Sequence, residues 1–413
     1  MPLPARNSLA VIGAGPIGLE AAAAAIDVGF DVHVFERGDV GAHAIAWGHV
    51  RMFTPWRMNI GPAAAVRLAG TDWTRPDAET CPTGRELAER YLAPLAALSE
   101  LKPRVHERSR VVHVGRRGLL KADDPDSARR GEHPFRLMVR DSGGRENFVH
   151  AFAVIDASGV YGQPNWAGDG GIPARGELYL APQMSYHVDD VLDLRRERYA
   201  GKGTIVIGAG ASAATVVANL ARLADEVPGT TATWVTRGPA EALYADEPNE
   251  PRAQLRELHT HARALVAGGH PAVRHVSGAV VEALQYNSAT HRYTATLVIG
   301  DRPHNEESDQ VVINTGFGPD HSIYRELQVH ESYTTRGPMK LAVALKDSGS
   351  KGCTSTPHFG AEALVNPEPN FYVLGHKSYG RARDFLLETG YRQVADVISK
   401  LAADLGVAPA VSR

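Results

Sequence analysis

Cysteine is nearly missing from this chain: there are two, Cys81 in "ETCPTG" and Cys353 in "KGCTST". Two isolated thiols build neither a disulfide framework nor a zinc site, and neither belongs to a CxxC pair. A dithiol relay at these positions is excluded, and only a long-range Cys81–Cys353 pair would restore one. So little cysteine suits a reducing compartment, and a cytoplasmic location is expected. Metal-ligand spacing is missing too. "HTH" at His259–His261 sits in a helical stretch, where side chains two apart point to different faces, so no metal is expected.

Long apolar runs are also lacking. No segment reaches the roughly 20 residues of a membrane span. The apolar N-terminal stretch is broken by Gly13, Gly15, Pro16 and Gly18 and carries Glu20 and Asp27, so it reads as structure rather than as a signal peptide. Charge of one sign does not dominate either. Lys and Arg total 44 against 47 Asp and Glu, a net −3, which supports no nucleic-acid or anionic membrane partner. Lysine supplies few of those cations. The arginine excess fits phosphate or carboxylate handling and fits compositional bias equally well.

What is present is an ordinary globular composition, 43% hydrophobic and 22% charged, over 413 residues. That length exceeds one efficient core, so two domains are expected. "VIGAG" occurs at Val11–Gly15 and again at Val206–Gly210. The first copy reads as strand, turn, helix, strand: "SLAVI", then "GAGPIG", then "LEAAAAAID", then "DVHVFE". Gly13 makes the tight turn, Gly15 lets a pyrophosphate approach the backbone, and Gly18 lets helix pack on strand. Pro16 suits the first helical turn. Glu36, with Arg37 beside it, ends the second strand at the spacing where a carboxylate meets a ribose diol.

The second copy, "GAGASA", keeps Gly208 and Gly210 but places Ala213 at the third glycine position. Ser212 offers a hydroxyl at the helix start, where backbone N–H groups favour phosphate. Its next strand, "TATWV", runs into Thr236 and Arg237. A cation there either meets a 2′-phosphate, which favours NADPH, or ends the strand in solvent. A ribose-binding acid on one copy and a cation on the other pair FAD with NADPH, a hydride acceptor with its donor.

Two further segments, "VIDASGVYGQP" (Val154–Pro164) and "VVINTGFGPD" (Val311–Asp320), resemble each other and bracket the second nucleotide fold. Ser158, Gly159 and Gly316 lie in them, and their glycines allow close cofactor approach. The expected architecture is α/β: an FAD-binding domain from residues 1–165 and 312–413, with an NADPH-binding domain, 166–311, inserted.

The double Rossmann pattern with its "ASG" and "NTG" crossings resembles the two-dinucleotide-binding flavoproteins. Within them, "GAGASA" followed by "WVTR" resembles the class B flavin-dependent monooxygenases, which include the flavin-containing monooxygenases. The resemblance implies FAD, NADPH and molecular oxygen. It also implies an oxygen adduct of reduced flavin that oxygenates a small soft nucleophile at nitrogen or sulfur. "FTPWRMN" (Phe53–Asn59) resembles the family's active-site segment, which makes Asn59 the catalytic amide with Arg57 beside it. The family's short fingerprint is degenerate here: "APQMSYHVDDV" keeps only His187, which is otherwise a core or linker histidine. The C-terminal "FYVLGHKSYGRARDF" resembles the closing strand of an FAD domain. Gly375 lies at its end, and Lys377 and Arg381 are then either cations that stabilise a reduced, anionic flavin or surface charges.

These readings give an NADPH-dependent FAD monooxygenase. The alternatives are a reductase or oxidase that inserts no oxygen, and a non-catalytic flavin-binding protein. A homo-oligomer is left open, and substrate identity is not written in these residues.

Overall fold

A computed structural model describes residues 3–240, 243–244, 250–348, 358–382 and 385–408. Cys353 lies outside the described residues. The chain divides into two compact units, Met1–Gln163 with Gly318–Arg413, and Pro164–Phe317.

The first unit opens with β1 (Ser8–Ile12), whose five residues are all buried. Helix α1 (Pro16–Asp27) follows, its alanines packed inward. β2 (Asp31–Phe35) then returns parallel to β1. Glu20, on α1, caps the next regular helix, α2 (Pro62–Ala69). Its two carboxylate oxygens accept from the Ala63 and Ala64 amides at 2.8 and 3.0 Å. Burial pushes the Glu20 carboxyl up, against the two amide bonds, which pull it down.

The stretch "RELAERYLAPLAALSEL" (residues 85–101) reads as an amphipathic helix in which Pro94 predicts a kink. The chain instead inserts a π turn, Ala88–Leu92, so that the missing proline N–H falls where the ladder is already widened. After β3 (Val105–His106) come an antiparallel meander, β4 (Ser109–Arg116), β5 (Phe135–Asp141) and β6 (Glu146–Ala151), and then β7 (Ala153–Asp156), parallel to β1.

The second unit repeats this plan. β8 (Gly203–Ile207), α3 (Ala211–Glu226) and β9 (Thr231–Val235) are followed by α4 (Ala253–Val266) and β10 (Val273–Val276). The meander is β11 (Ala279–Asn287), β12 (Arg292–Ile299) and β13 (Arg302–Ser308), and β14 (Gln310–Ile313) lies parallel to β8. Back in the first unit, β15 (Phe371–Val373) and α5 (Leu387–Leu405) close the chain.

The parallel sheets have the orders β15-β7-β1-β2-β3 and β10-β9-β8-β14. Thus β7 and β14 occupy the same place, each beside the first strand of its unit and each preceded by a meander. The repeat signalled by "VIGAG" therefore spans whole units. One boundary is corrected. The segment from 312 was expected to belong to the first domain, but β14 completes the second sheet, and the division falls after Phe317.

One buried ionic cluster ties the first unit's meander to its C-terminal part. Arg116, Arg130 and Glu368 have fully buried side chains. Glu368 accepts from Arg116 Nε at 2.6 Å and from Arg130 Nη2 at 2.9 Å, and the Arg116 guanidinium lies 3.6 Å from the Phe135 ring centroid. Removing the carboxylate leaves two unpaired buried cations, a loss of about 3–5 kcal/mol.

Candidate functional site: two glycine turns and a cleft

Each turn leaves its strand through a glycine that no other residue replaces. Gly13 has φ +101° and Gly208 φ +142°. A Cβ on Gly13 would stand 2.8 Å from the Ala157 carbonyl oxygen, and one on Gly208 2.3 Å from that of Asn314. At the middle glycines, Gly15 and Gly210, an added Cβ meets nothing within 4 Å, so the backbone there faces open space. The third positions differ. A Cβ on Gly18 would lie 1.9 Å from the Gly13 carbonyl oxygen, whereas Ala213 carries its methyl fully buried at the start of α3.

In the first unit the turn forms one wall of a cleft of ≈ 230 Å³. Gly13, Gly15, Pro16, Glu36, Arg37, Ser158, Gly159, Gly375 and Lys377 all line it, while Gly18 packs behind. Glu36 accepts from the Ala14 and Gly38 amides, both at 2.8 Å, which fixes its carboxylate at the end of β2. Arg37 Nη2 lies 2.7 Å from His43 Nε2. Gly159, at φ +71°, is another place where the backbone faces open space, with nothing within 4 Å of an added Cβ.

Sheet order separates the two ends of the cleft. Glu36 follows β2 on one side of β1, and β7 and β15 stand on the other, two and three strand spacings from β2, roughly 10 and 14 Å. At that far end Lys377 Nζ donates to Asp156 Oδ2 at 2.6 Å, with both side chains fully buried. Asp320 also lines the cleft. Its burial opposes ionisation, but hydrogen bonds from Ser322 and the Lys377 charge outweigh it and hold the carboxyl below its usual range. Burial pushes the His376 imidazole down, and a hydrogen bond with the Ala382 backbone offsets this only in part.

In the second unit, two aromatic side chains fasten the carbonyls of the turn. Trp234 Nε1 donates to Gly208 O at 2.8 Å, and the Tyr244 hydroxyl donates to Gly210 O at 3.0 Å. Fixing the carbonyls orients the peptide planes, and with them the N–H groups at the start of α3. Ser212 and Arg237 are exposed there, and Thr236 is buried with its hydroxyl 2.9 Å from His275 Nε2. Gly316 has φ +91° and its carbonyl accepts from the Asn165 amide.

Several expected site residues stand elsewhere. Asn59 is 1% exposed and does not line the cleft. Its Nδ2 donates to the carbonyls of Thr54 and Pro55 at 2.8 and 3.0 Å, and its Oδ1 accepts from the Thr54 hydroxyl at 2.9 Å. The amide locks its own turn, and the Asn59 carbonyl accepts from the Tyr391 hydroxyl on α5. Arg57 is corrected likewise: half exposed, it pairs with Glu79 at 3.1 Å, outside the cleft. Lys377 stands at the cleft as expected, but as half of an ion pair rather than as an unpartnered cation. Arg381 is exposed. In the second unit, the half-buried His187 stacks on Phe317, and burial lowers its pKa against the influence of Asp189.

Asp156 and Asp320 were missed. The signal for Asp156 was legible: a carboxylate ending the apolar run "AFAVID" needs a partner when buried. Among the described residues, no group of His, Cys, Asp and Glu has a metal-holding arrangement, and no helix is long and apolar enough to cross a membrane.

The sequence profile of the family described as pyridine nucleotide-disulphide oxidoreductase matches residues 8–42, the strand, turn and helix of the first unit. No curated protein matches the chain by sequence. Solved structures match over nearly its full length. The bacillithiol disulfide reductase Bdr (YpdA) from Bacillus cereus has a TM-score of 0.69 at 18% identity, covering 96% of this chain and 98% of that one. The ornithine N-hydroxylase of Kutzneria sp. 744, solved with reduced FAD, NADP+ and L-ornithine, has 0.62 at 15%, covering 97% and 99%. DfoA from Erwinia amylovora, a cadaverine monooxygenase bound to FAD, has 0.60 at 13%, covering 98% and 96%. The fold is that of the two-domain Rossmann-type flavoproteins.

Proposed function

We propose that the chain is an NADPH-dependent FAD monooxygenase that oxygenates a small soft nucleophile at nitrogen or sulfur. One observation carries the cofactor pairing: the same strand–turn–helix unit occurs twice, with a carboxylate after the second strand of one copy and a cation after that of the other. In the first unit, Gly15 and the start of α1 hold a pyrophosphate, and Glu36 accepts from a ribose diol. The open backbone at Gly15 and Gly159 fits such close approach, because a side chain at either place would fill the space. In the second unit, Gly210, Ser212 and the start of α3 hold the NADPH pyrophosphate, and Arg237 meets its 2′-phosphate. FAD supplies two-electron acceptor chemistry and reactivity toward oxygen when bound.

A thiol relay has no support among the described residues. No cysteine lines the cleft, and Cys81 is buried with its thiol pushed up by burial, which the nearby Arg51 opposes. We therefore take oxygen and a small substrate, rather than a disulfide, as the final acceptor to test first. The likeness in fold to an ornithine N-hydroxylase and a cadaverine monooxygenase supports amines as the first substrates to try.

A second reading, electron transfer without oxygen insertion, is favoured by the position of Asn59, whose amide is engaged inside its own turn. The test measures NADPH and NADH consumption, oxygen uptake and hydrogen peroxide release by the purified flavoprotein, with amines such as L-ornithine and cadaverine and with thioethers. Monooxygenation predicts NADPH preference and a substrate that lowers peroxide below one per NADPH while an oxygenated product appears. Stoichiometric peroxide with every substrate favours the second reading. A protein that neither purifies with flavin nor binds it overturns both.

A further inference from the structure

The Lys377–Asp156 pair stands where the fold has no need of one. In the matching strand of the second unit, register places Ile313 beside Ile207 as it places Asp156 beside Ile12. Ile313 is 1% exposed and apolar, so this strand position is filled without charge elsewhere in the same chain. A buried ion pair is also weak as a fastening, since desolvation offsets most of its attraction.

The pair is nevertheless built with care. An ammonium has three donors and no acceptor. Lys377 Nζ donates to Asp156 Oδ2 at 2.6 Å and to Ser158 Oγ at 3.1 Å, and the Tyr324 ring centroid lies 5.1 Å away. Asp156 Oδ1 accepts from the Ser158 amide at 3.0 Å and the Ser158 hydroxyl at 2.6 Å. Three contacts on the carboxylate and two on the ammonium leave neither group free to swing away. Lys377 and Ser158 both line the cleft, on the β7–β15 side. With a dinucleotide's pyrophosphate at Gly15 and its adenosine ribose at Glu36, the redox half falls on that side.

Resting on the reading that this cleft holds FAD, we propose that Asp156 and Lys377 form an electrostatic setting for the cofactor's reduction potential. Reduction adds negative charge to the ring system, which a nearby cation favours and a nearby anion opposes. Asp156 fixes the ammonium at the cleft wall and opposes its field there. The pair thereby keeps the potential lower than an unpartnered lysine would, and the reduced cofactor remains a strong donor to its oxidant. Lys377 and Asp156 are positioning residues in this account.

The test is the midpoint potential of the holoenzyme, by equilibration with a reference dye, in the native protein and in Asp156→Asn, Lys377→Gln and the double variant. Asp156→Asn is expected to move the reduced-to-oxidised ratio at a fixed poise about tenfold toward reduced, about 30 mV for a two-electron couple. Lys377→Gln is expected to move it a similar amount the other way, and the double variant to return near the native value. Opposite displacements distinguish charge from packing, since loosening a structural tie would move both single variants alike. Should one single variant fail to fold, a displaced partner beside a near-native double still supports the inference. Single variants within twofold of native, or displaced in the same direction, overturn it while bound flavin leaves the cofactor reading intact. A native protein that binds no flavin overturns both together.

Discussion

The two units are built on one plan, and they part company at three places. Their sheets share the order of four strands, but the first adds the strand β15 beyond β7, whereas beyond β14 the described residues of the second show only the isolated parallel bridge of Ser185 with Val312. The third position of the glycine turn is Gly18 in one and Ala213 in the other. The strand after the turn leads to Glu36 in one and to Arg237 in the other. Shared features concern the backbone: the left-handed glycine after the first strand and the open middle glycine that presents N–H groups to an anion. The features that differ concern charge and space. A phosphate grip is thus reusable within one chain, while ligand identity is set by a few side chains around it.

The largest expected effect tests the difference in space. Gly18→Ala drives a methyl into the Gly13 carbonyl oxygen, 1.9 Å away, with backbone on both sides of the contact. A loss of about 3 kcal/mol is expected, with failure to retain flavin, seen by thermal melting and the visible absorbance of the purified protein. Ala213→Gly in the second unit removes only a buried methyl and should cost about 1 kcal/mol with flavin content unchanged. Equal losses in the two units would erase the distinction.

Charge comes next. Arg237→Glu should lower kcat/KM for NADPH roughly 30-fold, the loss of a charge-assisted contact, and change that for NADH less than threefold. If both coenzymes lose equally, Arg237 does not read the 2′-phosphate.

Asn59 and Arg57 sharpen the comparison by their absence from the cleft. Asn59→Ala leaves the Thr54 and Pro55 carbonyls without their donor and should cost about 1.5 kcal/mol, a fall in Tm of a few degrees. The peroxide released per NADPH should stay as it was, and a rise would return Asn59 to the chemistry. Arg57→Ala removes an exposed pair with Glu79, and less than about 0.5 kcal/mol is expected.

The smallest effect concerns pH. Burial is the first cause that lowers the pKa of His106, His150 and His376 in the first unit and of His187 and His275 in the second. The unfolded chain takes up protons on these groups at a higher pH than the folded one. Their contribution is therefore present above the ordinary histidine value, about 6.5, and is lost as pH falls below it. Urea midpoints at pH 5.5 should lie below those at 7.5, and the reverse order would contradict the burial of these rings.

Much of this was legible in the residues because it depends on backbone rules. Gly13, Gly15, Gly18 and Glu36 announce their turn by their spacing, since backbone geometry and close packing restrict these places to few residue types. The degenerate second turn was readable for the same reason. Asn59 was not, because its neighbourhood in sequence says nothing about where its side chain points. Its amide folds back onto Thr54 and Pro55, a choice made by the turn and by the Tyr391 hydroxyl from the far end of the chain. Lys377 showed its place but hid its partner, 221 positions earlier, because pairing across that separation is settled only when β15 lies beside β7. The boundary at 312 failed on a likeness: "VVINTG" resembles "VIDASG" as one sheet's strand resembles another's, and the resemblance was taken for a shared domain.

The buried cluster of Arg116, Arg130 and Glu368 has a consequence for how the molecule comes into being. A ribosome delivers the chain from its first residue onward, and Glu368 emerges 252 residues after Arg116. Until then the first unit holds two arginines with no carboxylate to enter its interior alongside, and β7 has no β15 at its side. The second unit is one continuous stretch, complete once Phe317 has been made. Synthesis therefore finishes the middle of this protein before its beginning, and the first 163 residues wait on the last hundred.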